Sequence, residues 1–389
     1  MSFLARSSSF VRFSAAGELP DNPLEFIADR ISSFVFEDID DTFEEYSVGW
    51  VSVLNMFDSA FAYGSHLYGD YVVLSLRVDE RKVSPSILKK FTQKEEERIK
   101  KEKQVPKLSR TLRLEIKERI KTELTRKAMP VPAVYDLVWS LSESALYFFS
   151  TNKQAHMLLE DFFKDCFGLV LMLQIPFTTA GQLLSDEARQ ARLEQIAPEI
   201  FVSRQVIMDL VDLITEKRFF GQEFLTWLWW KSEERGGSVE LEGQGDIIVV
   251  FEKHMLLEYG EADYNERLVC TGLQTELKEA RTGLRTGKKL EQARLKISKD
   301  EREYNLTLGA TFFEFRNVKL PKTEGSEQTA QSSDAELEGA VLEKIFLFEE
   351  LVKIVNDLLR MFAEVRTSEK WPEELARVRR WVHKSADNV

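Results

Sequence analysis

The chain has 389 residues, with 53 Lys and Arg against 65 Asp and Glu, for a formal net charge of −12. An apolar fraction of 43% beside 30% charged residues excludes a disordered or fibrous chain and leaves room for two or three packed cores. No run of about 18 apolar residues occurs, so no membrane-spanning helix is expected.

The 27 Phe residues point to aromatic-rich cores. Cys166 and Cys270 are the only cysteines and lack CxxC spacing, so neither a disulfide framework nor a zinc site is expected, and a reducing compartment fits. The first 17 residues are Ser-rich, with Arg6 and Arg12 and no acid, a composition shared with transit peptides. The alternation through Phe10-Val11-Arg12-Phe13 reads equally well as a strand.

Pro20 to Phe34 predicts a helix with Leu24, Ile27, Ile31 and Phe34 on one side. Tyr71 to Val78 is rich in β-formers. Ser84-Pro85 then supplies an N-cap and a first helical residue for a helix running to about Lys103. Pro106 breaks it, and a second helix is predicted from about Ser109 to Met129.

This stretch carries the main functional signal. Between Lys89 and Lys127 stand fifteen Lys and Arg against seven Glu and no Asp, a net +8 in a chain whose remainder sums to −20. On the second helix, Arg110, Lys117 and Lys121 fall within about 40° of each other, with Arg113 beside them. Leu112, Ile116, Ile120 and Leu124 form an adjoining apolar stripe. The helix is thus expected to pack on one side and present aligned cations on the next, as a polyanion-binding surface does. The alternative is a solvated, charge-laced hairpin without a ligand.

Past Pro130, Tyr135, Leu137, Trp139 and Leu141 alternate as in a strand, and Ser142-Glu143-Ser144 turns into Leu146-Tyr147-Phe148-Phe149. A helix over Asn152 to Phe167 and a strand over Leu169 to Leu173 follow. Phe224 to Trp230, the densest aromatic patch, predicts a buried helix rather than a base-stacking platform. Val239 to Val269 reads as β, with Gly243 and Gly245 at a turn. Lys278 to Lys299 is a second basic cluster, net +6, straddling a helix, a turn at Gly287 and a strand. Residues 322–334 read as a linker. Val341, Ile345, Phe348, Val352, Val355, Leu359 and Phe362 repeat in 4-3 steps, and Leu347, Leu351, Ile354, Leu358 and Met361 widen the stripe, which favours packing on the protein body over an exposed coiled coil.

Taken in order, Gly49-Trp50-Val51, Val83-Ser84-Pro85-Ser86-Ile87 with the Lys/Glu-rich helices behind it, the Trp139 hairpin, the helix after Asn152, Thr286-Gly287-Lys288-Lys289-Leu290 and Phe348-Glu349-Glu350-Leu351 make the chain resemble the bacterial recombination-associated protein RdgC family. The resemblance is patchy but covers most of the chain. It implies a ring-shaped homodimer with a positively charged hole that encircles duplex DNA with little sequence preference and restrains recombinase filaments, without an established catalytic centre. Single-stranded DNA is a further candidate ligand, and a cytoplasmic, nucleoid-associated protein is implied. The chain departs from that pattern in its extra length near the Trp-rich segment, in Met129 at an aromatic subunit-contact position, and in Gly272-Leu273 at a cationic-polar pair.

The fold expected is therefore α+β: a mixed core with strand hairpins, a projecting basic helical hairpin and a C-terminal helical segment, in an RdgC-like ring-forming arrangement. The segments expected are a central domain from 1–82 and 130–185, a basic projection at 83–129, a second α/β domain at 186–320, a linker at 321–334 and C-terminal helices at 335–389. Candidate DNA contacts are Lys89, Lys90, Lys94, Arg98, Lys100, Lys101, Lys103, Lys107, Arg110, Arg113, Lys117 and Lys121, with Arg285, Lys288, Lys289, Arg294 and Lys296 from the second cluster. Met129 is the candidate dimer contact. No cofactor, metal or catalytic residue is expected.

Two other readings remain. Glu115-Ile116-Lys117 matches a fragment of some nuclease sites, and Glu37-Asp38-Ile39-Asp40-Asp41 is acidic enough to attract a divalent cation but lacks the pattern of a calcium loop. A metal-dependent nuclease or nuclease subunit would use them. A non-enzymatic interaction scaffold would instead use the basic helices on an acidic partner. The four histidines stand without a second His or Cys at metal-ligand spacing, and no GxxxxGK[ST] loop or dinucleotide fingerprint is present.

Overall fold

Phe10, Val11 and Phe13 are all fully buried, which places the first strand inside the sheet with cores on both faces. The computed structural model describes residues 3–61, 66–198, 217–234, 236–241, 245–261, 264–271, 278–321 and 334–383. In chain order the first part runs β1 (Ser8–Ala16), α1 (Pro23–Ser33), β2 (Tyr46–Val51), β3 (Leu67–Tyr68), β4 (Tyr71–Arg81), α2 (Pro85–Glu102), α3 (Arg110–Lys127), β5 (Pro130–Ser140), β6 (Ala145–Phe148), α4 (Lys153–Phe167) and β7 (Val170–Leu173). Then come α5 (Pro176–Leu183), α6 (Glu187–Gln195), α7 (Phe219–Glu234), β8 (Ser238–Leu241), β9 (Gly245–Glu261), β10 (Tyr264–Thr271), α8 (Lys278–Arg285), β11 (Lys289–Lys299), β12 (Arg302–Gly309), β13 (Phe315–Lys319), α9 (Asp334–Arg366) and α10 (Trp371–His383).

The architecture is mixed α+β. One antiparallel sheet runs β10-β9-β11-β12-β13-β1-β6-β5-β4-β2, with β3 on β4, β7 on β1 and β8 on β9. Strand β1 joins its two halves: Ser8 and Phe10 pair with β13, Val11 to Ser14 with β6, and Phe13 to Ala16 with β7. At the junction Phe10 stacks on Phe315, with ring centroids 4.8 Å apart.

Two cores flank the sheet. On one face, Ile27 and Ile31 of α1 and Leu159, Phe163 and Cys166 of α4 pack with Trp50, Leu74, Leu137 and Trp139. Trp50 Nε1 donates to Cys166 Sγ at 3.3 Å, and α4 stops at Gly168, whose φ of +74° suits a residue without Cβ. Helix α1 begins at Pro23 rather than Pro20, because Pro23 takes a position in the first turn. Leu24 in that turn is 49% exposed, so the expected four-residue stripe reduces to Ile27 and Ile31 with Phe34 half-buried.

The larger core holds the Trp-rich helix and the C-terminal helices. Every residue of α7 from Phe219 to Trp230 is buried, with the buried Gln222 donating to Glu291 and the buried Glu223 accepting from Arg366, each at 2.9 Å. Val341, Ile345, Phe348, Val352, Val355, Leu359 and Phe362 of α9 are all buried, so the 4-3 repeat packs on the protein body. Phe348 meets Phe3, Phe10 and Phe149. Polar contacts fix the register: Tyr71 Oη donates to Glu349 at 2.8 Å, while Lys299, Arg302 and Tyr304 converge on Glu350. The linker residues 322–333, Gly243 and the Gly272-Leu273 pair lie outside the described residues.

Candidate nucleic-acid interface

Strands β4 and β5 pair from Tyr71 with Ser140 to Arg81 with Pro130, and the chain between them leaves the sheet as the α2–α3 hairpin. Ser84 and Ser109 cap the two helices, accepting from the backbone N–H of Ile87 at 3.3 Å and of Leu112 at 3.2 Å. The hairpin has its own small core: Leu108, Ile116 and Ile120, flanked by Leu88, Ile99, Leu112 and Leu124. Glu95 of α2 accepts from Arg98 at 2.7 Å and from Arg119 of α3 at 2.5 Å, and these arginines pull its carboxyl down to about 2. The base is fastened by Arg81. Its guanidinium donates to the carbonyls of Ile39 at 2.7 Å, Thr42 at 3.1 Å and Glu44 at 2.9 Å, and also to that of Ala128 at the end of α3.

The hairpin's cations are largely unneutralised. Of the fifteen, Arg98 pairs with Glu95 and Glu102, and Arg119 with Glu95. The other thirteen have no ion pair among the described residues. Lys89, Lys90, Lys94, Lys101, Lys103, Lys107, Arg110, Arg113, Lys117 and Lys121 are exposed, and Lys100 is half-exposed. Arg110, Arg113 and Lys117 line one side of a cleft of about 330 Å³ between the helices, together with Thr92, Glu96, Leu108 and Leu114.

The second cluster differs. It does straddle α8, the Gly287 turn and β11, yet its cations face acids. Arg281 pairs with Glu233, Lys288 with Glu266, Arg294 with Glu252 at 3.0 Å, Lys296 with Glu303 at 2.6 Å, and Lys299 with Glu350 at 3.3 Å. Arg285 Nε donates to the Val382 carbonyl at 2.7 Å. Lys289 is half-buried, and burial lowers its ammonium pKa. Strand β11, which carries Lys289, Arg294, Lys296 and Lys299, lies on the far half of the sheet from β4 and β5, which carry the hairpin.

Met129, at the hairpin's exit, is 81% exposed, and Val131 two residues on is 54% exposed. Glu115 stands exposed on α3, and Glu37, Asp38, Asp40 and Asp41 lie exposed in a loop. Among the described residues no three His, Cys, Asp or Glu side chains gather as a metal-holding group. His156 is buried, its Nε2 2.9 Å from the Ser150 carbonyl, and burial lowers its pKa.

Sequence reading missed three features. The Arg81 clamp needs the loop at 39–44 brought beside the end of α3, which only the fold does. The Glu95–Arg119 bridge was open to detection from the facing of two adjacent helices. The third is Arg12, buried in the sheet, whose guanidinium donates to Asn356 Oδ1 at 3.1 Å and lies near the rings of Phe313 and Phe315. No protein-family model and no curated protein matches the chain.

Proposed function

We propose that the chain is a DNA-binding protein without sequence preference, and that the α2–α3 hairpin is its principal contact. One observation carries the reading: thirteen exposed or half-exposed hairpin cations have no ion pair among the described residues, in a protein of net charge −12. Such cations neutralise phosphates and release counterions. Phosphate contacts position a protein without reading bases, so sequence preference is weak. The acidic remainder directs the polyanion to the hairpin. Arg285, Lys288, Arg294 and Lys296 are weaker contributors in this reading, because each already has a partner.

The wider reading rests on the resemblance to the RdgC family. It is a homodimer closing into a ring around duplex DNA, with exposed Met129 at the subunit contact, that restrains recombinase-mediated recombination at the nucleoid. No catalytic step or cofactor belongs to it. The test is charge reversal, Arg110→Glu with Lys117→Glu and Lys121→Glu, on three exposed side chains of α3. Duplex affinity is expected to fall by about tenfold or more with thermal stability unchanged. Unchanged affinity would remove the hairpin from the interface.

A further inference from the structure

The cleft between α2 and α3 carries more than charge. Leu114 lies amid Arg110, Arg113 and Lys117 on α3 and is 54% exposed, where a solubilising face would carry a polar residue. Leu108 supplies a second, buried apolar wall. Three cations face one carboxylate, Glu96, within the lining. Thr92 Oγ1 is buried and has no hydrogen-bond partner among the described residues. An apolar wall, a cationic rim and an unused hydroxyl together suit a ligand that is flat and apolar on one side and anionic on the other.

We infer that this cleft seats one unpaired nucleotide of a DNA strand, with the base against Leu114 and Leu108 and the flanking phosphates on Arg110, Arg113 and Lys117. The inference rests on the nucleic-acid reading of the hairpin. A volume of about 330 Å³ is at the small end of ligand pockets and too small to admit a duplex. Intact duplex therefore meets only the rim, and its stacked bases leave the apolar wall unused. An unstacked base reaches the wall and can lie on an Arg guanidinium plane, a mode of contact that tolerates any base. The protein should accordingly favour DNA with locally unpaired bases over intact duplex of equal charge.

The experiment is competition anisotropy with the full chain, using an intact duplex and a duplex of the same length with a short central run of mismatches. The mismatched duplex is expected to bind about fivefold or more tighter, the increment of one stacked base. In Leu114→Ser, checked for an unchanged melting temperature, the ratio of the two affinities should fall to about one. Equal affinities for the wild-type protein would overturn the inference and leave the hairpin a duplex-backbone contact. A preference that survives Leu114→Ser would overturn the cleft as its seat. Failure to bind either DNA would overturn the inference together with the proposed function.

Discussion

Among the described residues Arg81 directs its guanidinium at backbone carbonyls alone, on both the loop at 39–44 and the end of α3. It is 8% exposed, so its removal leaves those carbonyls with unmet acceptors near the sheet edge. Arg81→Ala is expected to lower stability by ~2–4 kcal/mol in urea unfolding; a change within experimental error would show that the clamp contributes nothing. Glu95 offers a second residue-level test. Its pKa is depressed from 4.5 to about 2 by Arg98 and Arg119. For a depressed carboxylate the stabilising pairing is complete above the unfolded value of 4.5 and is lost as pH falls towards 2. An NMR titration of the Glu95 carboxyl should therefore have its midpoint well below those of the chain's unpaired glutamates. A midpoint near 4.5 would mean that the bridge between the helices is not formed. Gly49, one of the residues carrying the family resemblance, has a structural reason of its own: a Cβ there would lie 2.3 Å from Phe36 Cα, where Val35 bridges to Trp50.

At the scale of elements, the hairpin and the second basic cluster separate. Locally coded features were legible in the sequence: Ser84 and Ser109 cap their helices, and the Leu112, Ile116, Ile120 and Leu124 stripe packs inward. The buried Trp-rich helix and the packed 4-3 stripe were equally plain, because a dense aromatic patch and a seven-residue period leave few alternatives. Neutralisation of the second cluster was not legible. Glu252 reaches Arg294 and Glu266 reaches Lys288 only through the pairing of β9 with β10 and β11. A count of charges along the chain treats paired and free cations alike. The double variant Arg294→Gln with Lys296→Gln is therefore expected to change duplex affinity by less than about threefold, since exposed ion pairs are individually weak and these cations are already matched. A loss equal to that of the α3 charge reversal would return the second cluster to the interface.

For the whole molecule, the long C-terminal helix holds both halves of the sheet. Glu349 meets Tyr71 of β4, and Glu350 meets Lys299, Arg302 and Tyr304 of the β11–β12 hairpin. Phe348, Leu351, Leu358 and Phe362 are buried in the larger core, and each such side chain contributes roughly 1.5–3 kcal/mol. Truncation after Leu320 removes α9 and α10, and the loss of these four side chains alone, about 6–12 kcal/mol, is comparable to the margin of stability of a typical domain, about 5–15 kcal/mol. Loss of near-ultraviolet circular dichroism is the expected result, and a cooperative, soluble truncated chain would contradict it. This joining role was hidden from the sequence, because Glu349 meets Tyr71 across 278 residues of chain. In the proposed function the hairpin engages the DNA backbone through cations that have no ion pair among the described residues. The most direct test is the anisotropy of a fluorescent duplex across a salt series, for the wild-type chain and the Arg110, Lys117, Lys121 charge reversal. The expected result is a steep fall of log affinity with log salt, equal competition by an unrelated sequence, and a slope shallower by roughly three in the variant. No binding at low salt, or identical slopes for the two proteins, would contradict it.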